Sequence, residues 1–95
     1  MGLRFEWDRR KAARNLAKHD LSFDEASTVF ADRLSLTIPD PDHSEGEFRF
    51  LSLGRSESDR LLIVSYTERG PRIRIISARE ATPTERRDYE SEHTR

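Results

Sequence analysis

The chain has 95 residues, which corresponds to one small domain, since domains most often contain roughly 100–150 residues. Apolar residues make up 34% of it and charged residues 37%, so the core is small for the number of charges around it. The absence of cysteine excludes disulfides and thiolate chemistry. No secretory signal is visible and no apolar run reaches the ~20 residues that cross a bilayer, so we expect a cytoplasmic protein without a membrane role.

The net charge of −1 conceals a strong alternation of charge along the chain. Residues 1–20 carry six basic and three acidic side chains, residues 21–48 one and seven, residues 49–79 seven and three, and residues 80–95 three and five. A neutral protein can still present a basic face, and the local field decides whether a polyanion is attracted. The first and third segments are therefore candidates for a nucleic-acid surface.

The first third of the chain predicts one strand and two helices. Apolar and polar residues alternate over 3–7, which indicates a short strand with one buried face. Asp8 is a suitable N-cap for a helix over 9–19, and we place Leu16 on the apolar side of that helix. A capping box over 22–25 opens a second helix, whose phenylalanines are expected to anchor it to the core.

The rest of the chain predicts four strands and a final helix. The strand segments are those in which apolar residues alternate with polar ones or run together, namely 34–38, 48–53, 61–67 and 72–78. We expect Gly54 to end the second of them, and the segment LLIVSYT to form a central strand buried on both faces. Thr82 and Glu85 form another capping box, which opens a polar helix over about 83–92.

The predicted order of elements is therefore β-α-α-β-β-β-β-α. Short loops join the four later strands, which favours an antiparallel meander, and the first two helices are expected to cover one face of the sheet as a hairpin. We predict an α+β fold with a mainly antiparallel sheet, a helical hairpin on one face and a C-terminal helix. Residues 1–95 form a single domain in this interpretation.

The segment YTERGPRIRIISAR, residues 66–79, is the most informative piece of the chain. It indicates the end of one strand, a Gly-Pro turn and a second strand. Successive side chains of a strand point to opposite faces, so Arg72 and Arg74 share one side, and Arg79 follows at the end of the strand. Guanidinium groups match the geometry of phosphate, so this strand predicts an RNA or DNA surface.

Several strings, in this order, resemble the BrnT toxin family of type II toxin–antitoxin systems. They are FEWD (5–8), the KxxxNLxKH pattern over 11–19, SFDEA (22–26), VFAD (29–32), IPDPDHSEGE (38–47), VSYTERG (64–70), RIRIISAR (72–79) and ERRDY (85–89). The resemblance implies a RelE-like fold and a ribonuclease toxin that inhibits translation by acting on RNA, free or on the ribosome. It also implies a BrnA-like antitoxin with a ribbon-helix-helix part, through which alone the complex would bind promoter DNA.

RNA cleavage without a metal requires deprotonation of the 2′-hydroxyl, stabilisation of the phosphorane charge and protonation of the 5′-oxygen. Arg74 and Arg79 are the first candidates for the charge stabilisation and Arg49 is the third, and the resemblance supports all three positions. We expect them to converge on one hollow of a curved sheet. The alternative is a set of solvated or paired arginines, with Glu80 and Glu85 as available partners for Arg79.

Two further residues are candidates for proton transfer. His19 lies in a basic neighbourhood and carries an imidazole, which exchanges protons near neutral pH, although a histidine at a helix end often only complements the helix dipole. Tyr89 is a candidate for base stacking or proton transfer, and alternatively it attaches the last helix to the sheet. The residues assigned to RNA binding are Lys11, Arg14, Lys18 and Arg72.

The acidic loop over 39–47 contains possible oxygen ligands, Asp40, Asp42, His43, Glu45 and Glu47, but their spacing fits no calcium loop. We therefore predict neither a metal nor another cofactor. Two rival functions use the same fold. One is a non-catalytic toxin that blocks a protein target, and the other is an interaction module whose basic face only receives the antitoxin.

Overall fold

The computed structural model describes residues 3–40 and 47–93, so residues 41–46 of the predicted acidic loop lie outside the described part. The described chain forms five strands, β1 (Arg4–Glu6), β2 (Leu36–Pro39), β3 (Phe50–Arg55), β4 (Leu61–Arg69) and β5 (Arg72–Glu80). Its helices are α1 (Arg9–His19), α2 (Phe23–Ser27), the 3₁₀ helix Thr28–Ala31 that follows α2, and α3 (Pro83–His93). None of these helices combines the length and the apolar character that a membrane crossing requires.

All five strands form one sheet in the order β1-β5-β4-β3-β2. Strands β2 to β5 are an antiparallel meander, as predicted, and β1 pairs in parallel with the outer side of β5. Strand β4 is central, and its residues 61–67 are all buried, which confirms a strand covered on both faces. The predicted α+β fold and its order of elements are confirmed, whereas the RelE-like classification stays a prediction.

Helices α1 and α2 and the 3₁₀ helix cover one face of the sheet. The main core lies between them and the sheet, and its buried members are Leu21, Phe23, Ala26, Val29, Leu62, Val64, Ile75 and Ala78. Helix α1 begins where the Asp8 carboxylate accepts hydrogen bonds from the backbone N–H groups of Arg10 (2.8 Å) and Lys11 (3.0 Å). This N-cap confirms the predicted start of the helix.

Asn15 fastens helix α1 to the sheet. Its Nδ2 donates to the Leu21 carbonyl at 2.9 Å, and its Oδ1 accepts from the backbone N–H of Ala78 at 3.0 Å. Both hydrogen-bonding ends of the amide are therefore satisfied although the residue is buried. The prediction for Leu16 was wrong in this respect, since its side chain is 50% exposed and Asn15 takes the buried position.

Helix α3 covers part of the other face of the sheet. Tyr89 is buried there in a second cluster with Leu53, Leu61 and Ile63. The Tyr89 hydroxyl donates to Oδ2 of Asp32 at 2.7 Å, and the same oxygen accepts from the backbone N–H of Arg55 at 2.8 Å.

A Cβ on Gly54 would lie 2.9 Å from Cγ1 of Val29, so only glycine lets β3 pass this close to the 3₁₀ helix.

Three predictions about the strands were wrong. Gly54 does not end β3, because the ladder to β4 continues to the pair Arg55 and Leu61. Phe48 lies before β3 and is 77% exposed. Ile38 was expected on a buried face but is 55% exposed, because β2 is an edge strand with a neighbouring strand on one side only.

Candidate active site

An irregularity in β5 decides which of its side chains share a face. Ser65 of β4 pairs with Ser77, whereas the next residue of β4 pairs with Ile75, so Ile76 is an extra residue in β5. Ile75 and Ala78 consequently both face the helical layer, although an uninterrupted strand would point them to opposite sides. The bulge thereby turns Arg79 onto the face that carries Arg74.

A cavity of about 290 Å³ opens on this face at the bulge. It brings together three of the five predicted catalytic residues, His19, Arg49 and Arg79. The other lining residues are Asp40, Leu51, Ile63, Ser65, Ile76, Ser77 and Ala78. Side chains from β3, β4, β5 and the end of α1 therefore converge here, as expected of a site that holds one phosphate group.

In contrast to Arg79, Arg49 forms no ion pair with a carboxylate of residues 3–40 or 47–93. Its Nε is buried and makes no hydrogen bond with any part of the described chain. Arg49 lies directly before β3, where its carbonyl accepts a 2.8 Å hydrogen bond from the backbone N–H of Asp40. A buried charged donor that lacks an acceptor is costly, so an anion in the cavity would stabilise it.

Arg79 is oriented by a carboxylate of helix α3. Its two terminal nitrogens donate to the two oxygens of Glu85 at 2.8 and 2.9 Å. Glu85 also closes the predicted capping box, since it accepts from the backbone N–H of Thr82 at 2.8 Å. The hydrogen bonds from Arg79 lower the pKa of Glu85 to about 2, so this carboxylate is ionised at neutral pH and compensates the charge of Arg79.

Arg72 and Arg74 lie away from this cavity, at the start of β5. Both donate to Glu6 of β1, at 3.3 Å from Arg72 and 3.0 Å from Arg74. These two hydrogen bonds lower the pKa of Glu6 below its usual value, and the hydrogen bond from Arg74 has the larger effect. The expected convergence on one hollow therefore holds for Arg49 and Arg79, whereas Arg74 contributes to a separate ion-pair cluster.

A second, open depression of about 550 Å³ adjoins the cavity and shares His19 and Arg79 with it. Lys18 also lines it, so one predicted RNA-binding residue lies next to the candidate active site. Lys11 and Arg14 are exposed on the same helix, at the three- and four-residue spacing that aligns side chains along one side. A basic row on α1 thus leads towards His19.

Tyr89 lines neither depression. Burial, together with the hydrogen bond to Asp32, raises its pKa to about 12. The guanidinium carbon of Arg55 lies 5.8 Å from the centre of its ring, on the side of the sheet that α3 covers. These contacts support the alternative role of Tyr89 in attaching α3, and its catalytic role stays a prediction.

Ser65 and Ser77, a polar pair, also line the cavity together with Asp40, and no place in the active site was predicted for these three residues. A serine in the middle of the apolar segment LLIVSYT was the available signal for Ser65. The bulge that brings Ser77 onto this face left no recognisable pattern in the sequence. Among the described residues, no three histidine or carboxylate side chains are close enough to hold a metal ion.

Residues 7–85 match the family model described as ribonuclease toxin, BrnT, of type II toxin–antitoxin system. The chain belongs to the BrnT toxin family. It is also similar in structure to the Brucella abortus ribonuclease toxin BrnT, with a TM-score of 0.62 and 21% sequence identity over 85% of this chain and 99% of that one. At this identity the structural likeness concerns the fold alone. No curated protein sequence matches the chain.

Membership of the BrnT family confirms the resemblance recognised from the sequence. A toxin of a type II system has an antitoxin partner and, as a ribonuclease toxin, an RNA target. The matched segment contains four of the five predicted catalytic residues, Arg49, Arg74, Arg79 and His19, while Tyr89 lies beyond its end. The individual roles of these residues stay predictions.

Proposed function

We propose that this chain is an endoribonuclease that cleaves RNA without a metal, inhibits translation and is neutralised by a BrnA-like ribbon-helix-helix antitoxin. One observation carries the enzymatic part of the proposal. The Nε of Arg49 is buried without an acceptor from the described part of the chain, in a cavity that also contains Arg79 and His19. A phosphodiester supplies the missing acceptor and places its phosphorus among groups of the required types.

The reaction is an internal transesterification. The 2′-hydroxyl loses its proton, its oxygen bonds to the adjacent phosphorus, and the bond from phosphorus to the 5′-oxygen breaks. The 5′-oxygen leaves with the bonding electron pair and takes up a proton, so the products are a 2′,3′-cyclic phosphate and a 5′-hydroxyl. No metal or other cofactor enters these steps.

Each group of the cavity receives one role in this scheme. Arg49 binds the non-bridging oxygens of the phosphate through its planar fork, and Arg79, held in place by Glu85, adds a second positive group. His19 and Asp40 are the lining groups that can exchange protons with the 2′-hydroxyl and the 5′-oxygen. Lys18 and the basic row of α1 bind the flanking backbone phosphates.

The test compares Arg49→Ala and Arg49→Lys in cleavage of a labelled RNA, free and on translating ribosomes, with EDTA present. We expect Arg49→Ala to lower the cleavage rate by about 100-fold or more, the range for loss of one donor to a developing oxyanion. Arg49→Lys keeps the positive charge but loses the planar fork of donors, so its cleavage rate should lie between those of Arg49→Ala and the unchanged protein. The control is Arg86→Ala, which removes an exposed arginine of α3.

The proposal fails if Arg49→Ala cleaves RNA as fast as the unchanged protein, or if the unchanged protein leaves RNA intact in both settings. The result is interpreted only if Arg49→Ala is folded at the assay temperature, as measured by circular dichroism. End-group analysis supplies a second readout, because a product with a 3′-phosphate formed directly by water would contradict attack by the 2′-hydroxyl.

One observation favours the non-catalytic alternative. Arg74 and Arg79 are both paired with carboxylates, so their charges are already compensated within the domain without RNA. If the chain only receives its antitoxin, its expression without the antitoxin leaves growth unchanged. Growth arrest without any RNA cleavage would instead indicate a toxin with a protein target.

A further inference from the structure

A third depression, on the face covered by α3, differs in chemistry from the cavity that contains Arg49 and Arg79. It has a volume of about 310 Å³, and its lining consists of Leu36, Ile38, Leu51, Leu53 and Ile63 together with Glu85 and Asp88. We propose that this apolar groove is the docking surface for the antitoxin, which fills it with aliphatic side chains and places a basic residue beside Asp88. The inference rests on the proposed function only in naming the antitoxin as occupant.

The groove is unusual for so polar a chain. Aliphatic side chains of β2, β3 and β4 form its floor, and Ile38 at its edge is 55% exposed. Helix α3 borders the groove on one side, where Glu85 and Asp88 line it, and Tyr89 of the same helix is buried against Leu53 and Ile63 of the floor. Contiguous apolar surface rimmed by polar groups is the usual mark of a protein-binding site.

The rim determines the charge of the partner. Glu85 already pairs with Arg79, whereas Asp88 is exposed and forms no ion pair within the described residues. A partner segment that buries aliphatic groups beside Asp88 is therefore stabilised by a lysine or arginine at that point. An acidic segment would be repelled, and an RNA strand has no aliphatic groups to fill the floor.

The groove is continuous with the candidate active site. Leu51 and Ile63 line both the groove and the cavity that contains Arg49 and Arg79. A polypeptide that leaves the groove at the end formed by Leu51 and Ile63 therefore passes over Arg49 and Arg79. Among proteins that could fill an apolar groove, the antitoxin of a type II toxin is the one that must bind this chain, and occlusion of the arginines would explain neutralisation.

The experiment measures the affinity of the purified toxin for its purified cognate antitoxin, by calorimetry or surface plasmon resonance. Ile38→Glu places a carboxylate at an already exposed position, so the fold should survive, and we expect at least about tenfold weaker binding. The matched control is Leu16→Glu, which makes the same change at a 50% exposed leucine of α1, on the opposite face of the sheet.

A second pair of variants tests the charge of the rim. Asp88→Lys should weaken binding several-fold and lessen its dependence on salt, since a favourable charge contact is replaced by repulsion. Glu90→Lys makes the same charge change on the same helix at a residue outside the groove, and it should bind as the unchanged toxin does.

The outcomes separate this inference from the proposed function. Reduced binding by Ile38→Glu and Asp88→Lys, with normal binding by both controls, supports the groove whether or not the protein cleaves RNA. Unchanged binding by Ile38→Glu overturns it. So does light scattering that shows a dimer of the free toxin which Ile38→Glu converts to a monomer, because a second copy would then occupy the groove.

Discussion

Replacement of Tyr89 by phenylalanine separates the two roles considered for this residue. The change removes a hydroxyl that donates to the Asp32 carboxylate at 2.7 Å and leaves the buried ring in place. A hydrogen bond to a charged acceptor contributes about 1.5–3 kcal/mol, so we expect a loss of about 2 kcal/mol in the free energy of unfolding. For a domain of this size that corresponds to a fall of roughly 10 °C in melting temperature.

The pH dependence of stability gives an independent measure of the surroundings of this hydroxyl, whose pKa is raised first by burial and then by the hydrogen bond to Asp32. The pKa of Tyr89 is raised from 10.0 to about 12 in the folded protein, so the fold favours the protonated hydroxyl. This stability is fully present below pH 10 and is lost as the pH rises towards 12, because the unfolded chain ionises first. Tyr89→Phe has no hydroxyl to ionise at this position, so it should not show this part of the loss of stability at alkaline pH.

The assay combines thermal unfolding with RNA cleavage at 20 °C, where the variant remains folded. If Tyr89 only attaches α3, the melting temperature falls and the cleavage rate per folded molecule is unchanged. A cleavage rate that falls tenfold or more, with an unaltered melting temperature, would refute this reasoning and establish a catalytic tyrosine. Tyr66→Phe, which removes a hydroxyl from the opposite face of the sheet, controls for a general effect of this substitution.

Three further predictions concern the surroundings of the site. Asn15→Ala leaves a buried carbonyl and a buried N–H without their partners, so it should lower the free energy of unfolding by about 2–4 kcal/mol, measured by urea denaturation. Gly54→Ala should lower it by about 1–3 kcal/mol in the same assay, since its Cβ would meet Val29 at 2.9 Å. Stability should fall as the pH drops from about 4.5 to 2, because protonation of Glu85 breaks its contact with Arg79. Partial solvent exposure limits this loss to about 1 kcal/mol, and Glu85→Gln should abolish this component in acid titrations followed by circular dichroism.

The fold was predictable from the sequence because its signals are local. The N-caps at Asp8 and Ser22 and the capping box that ends at Glu85 set the starts of all three described α-helices. The buried segment 61–67 was recognisable as the central strand from its composition alone. The misjudged positions, Leu16 and Ile38, depended on which neighbours cover a side chain, and periodicity does not contain that information.

The site was predictable in its residue types but not in its grouping. Arg49, Arg79 and His19 were recognised individually, and the structure places them around one cavity. Arg74 was expected beside them because it projects from the same strand as Arg79, whereas its actual neighbour is Glu6, 68 positions away in the chain. Such a parallel pairing between the first strand and β5 is non-local, and the local pattern of residues gives no sign of it.

The ion pairs within the domain explain why one arginine of the basic segment differs from the rest. Residues 49–79 contain seven arginines, and six of them form an ion pair with a carboxylate of the described chain: Arg55, Arg60, Arg69, Arg72, Arg74 and Arg79. Arg49 forms none with the described residues, and its Nε is buried there without a hydrogen-bond acceptor. Desolvation without compensation costs folding stability, so the position is best understood as one that an external anion completes. Phosphate should therefore raise the melting temperature of the unchanged protein and leave that of Arg49→Ala unaffected, and an equal rise in both would place the anion elsewhere.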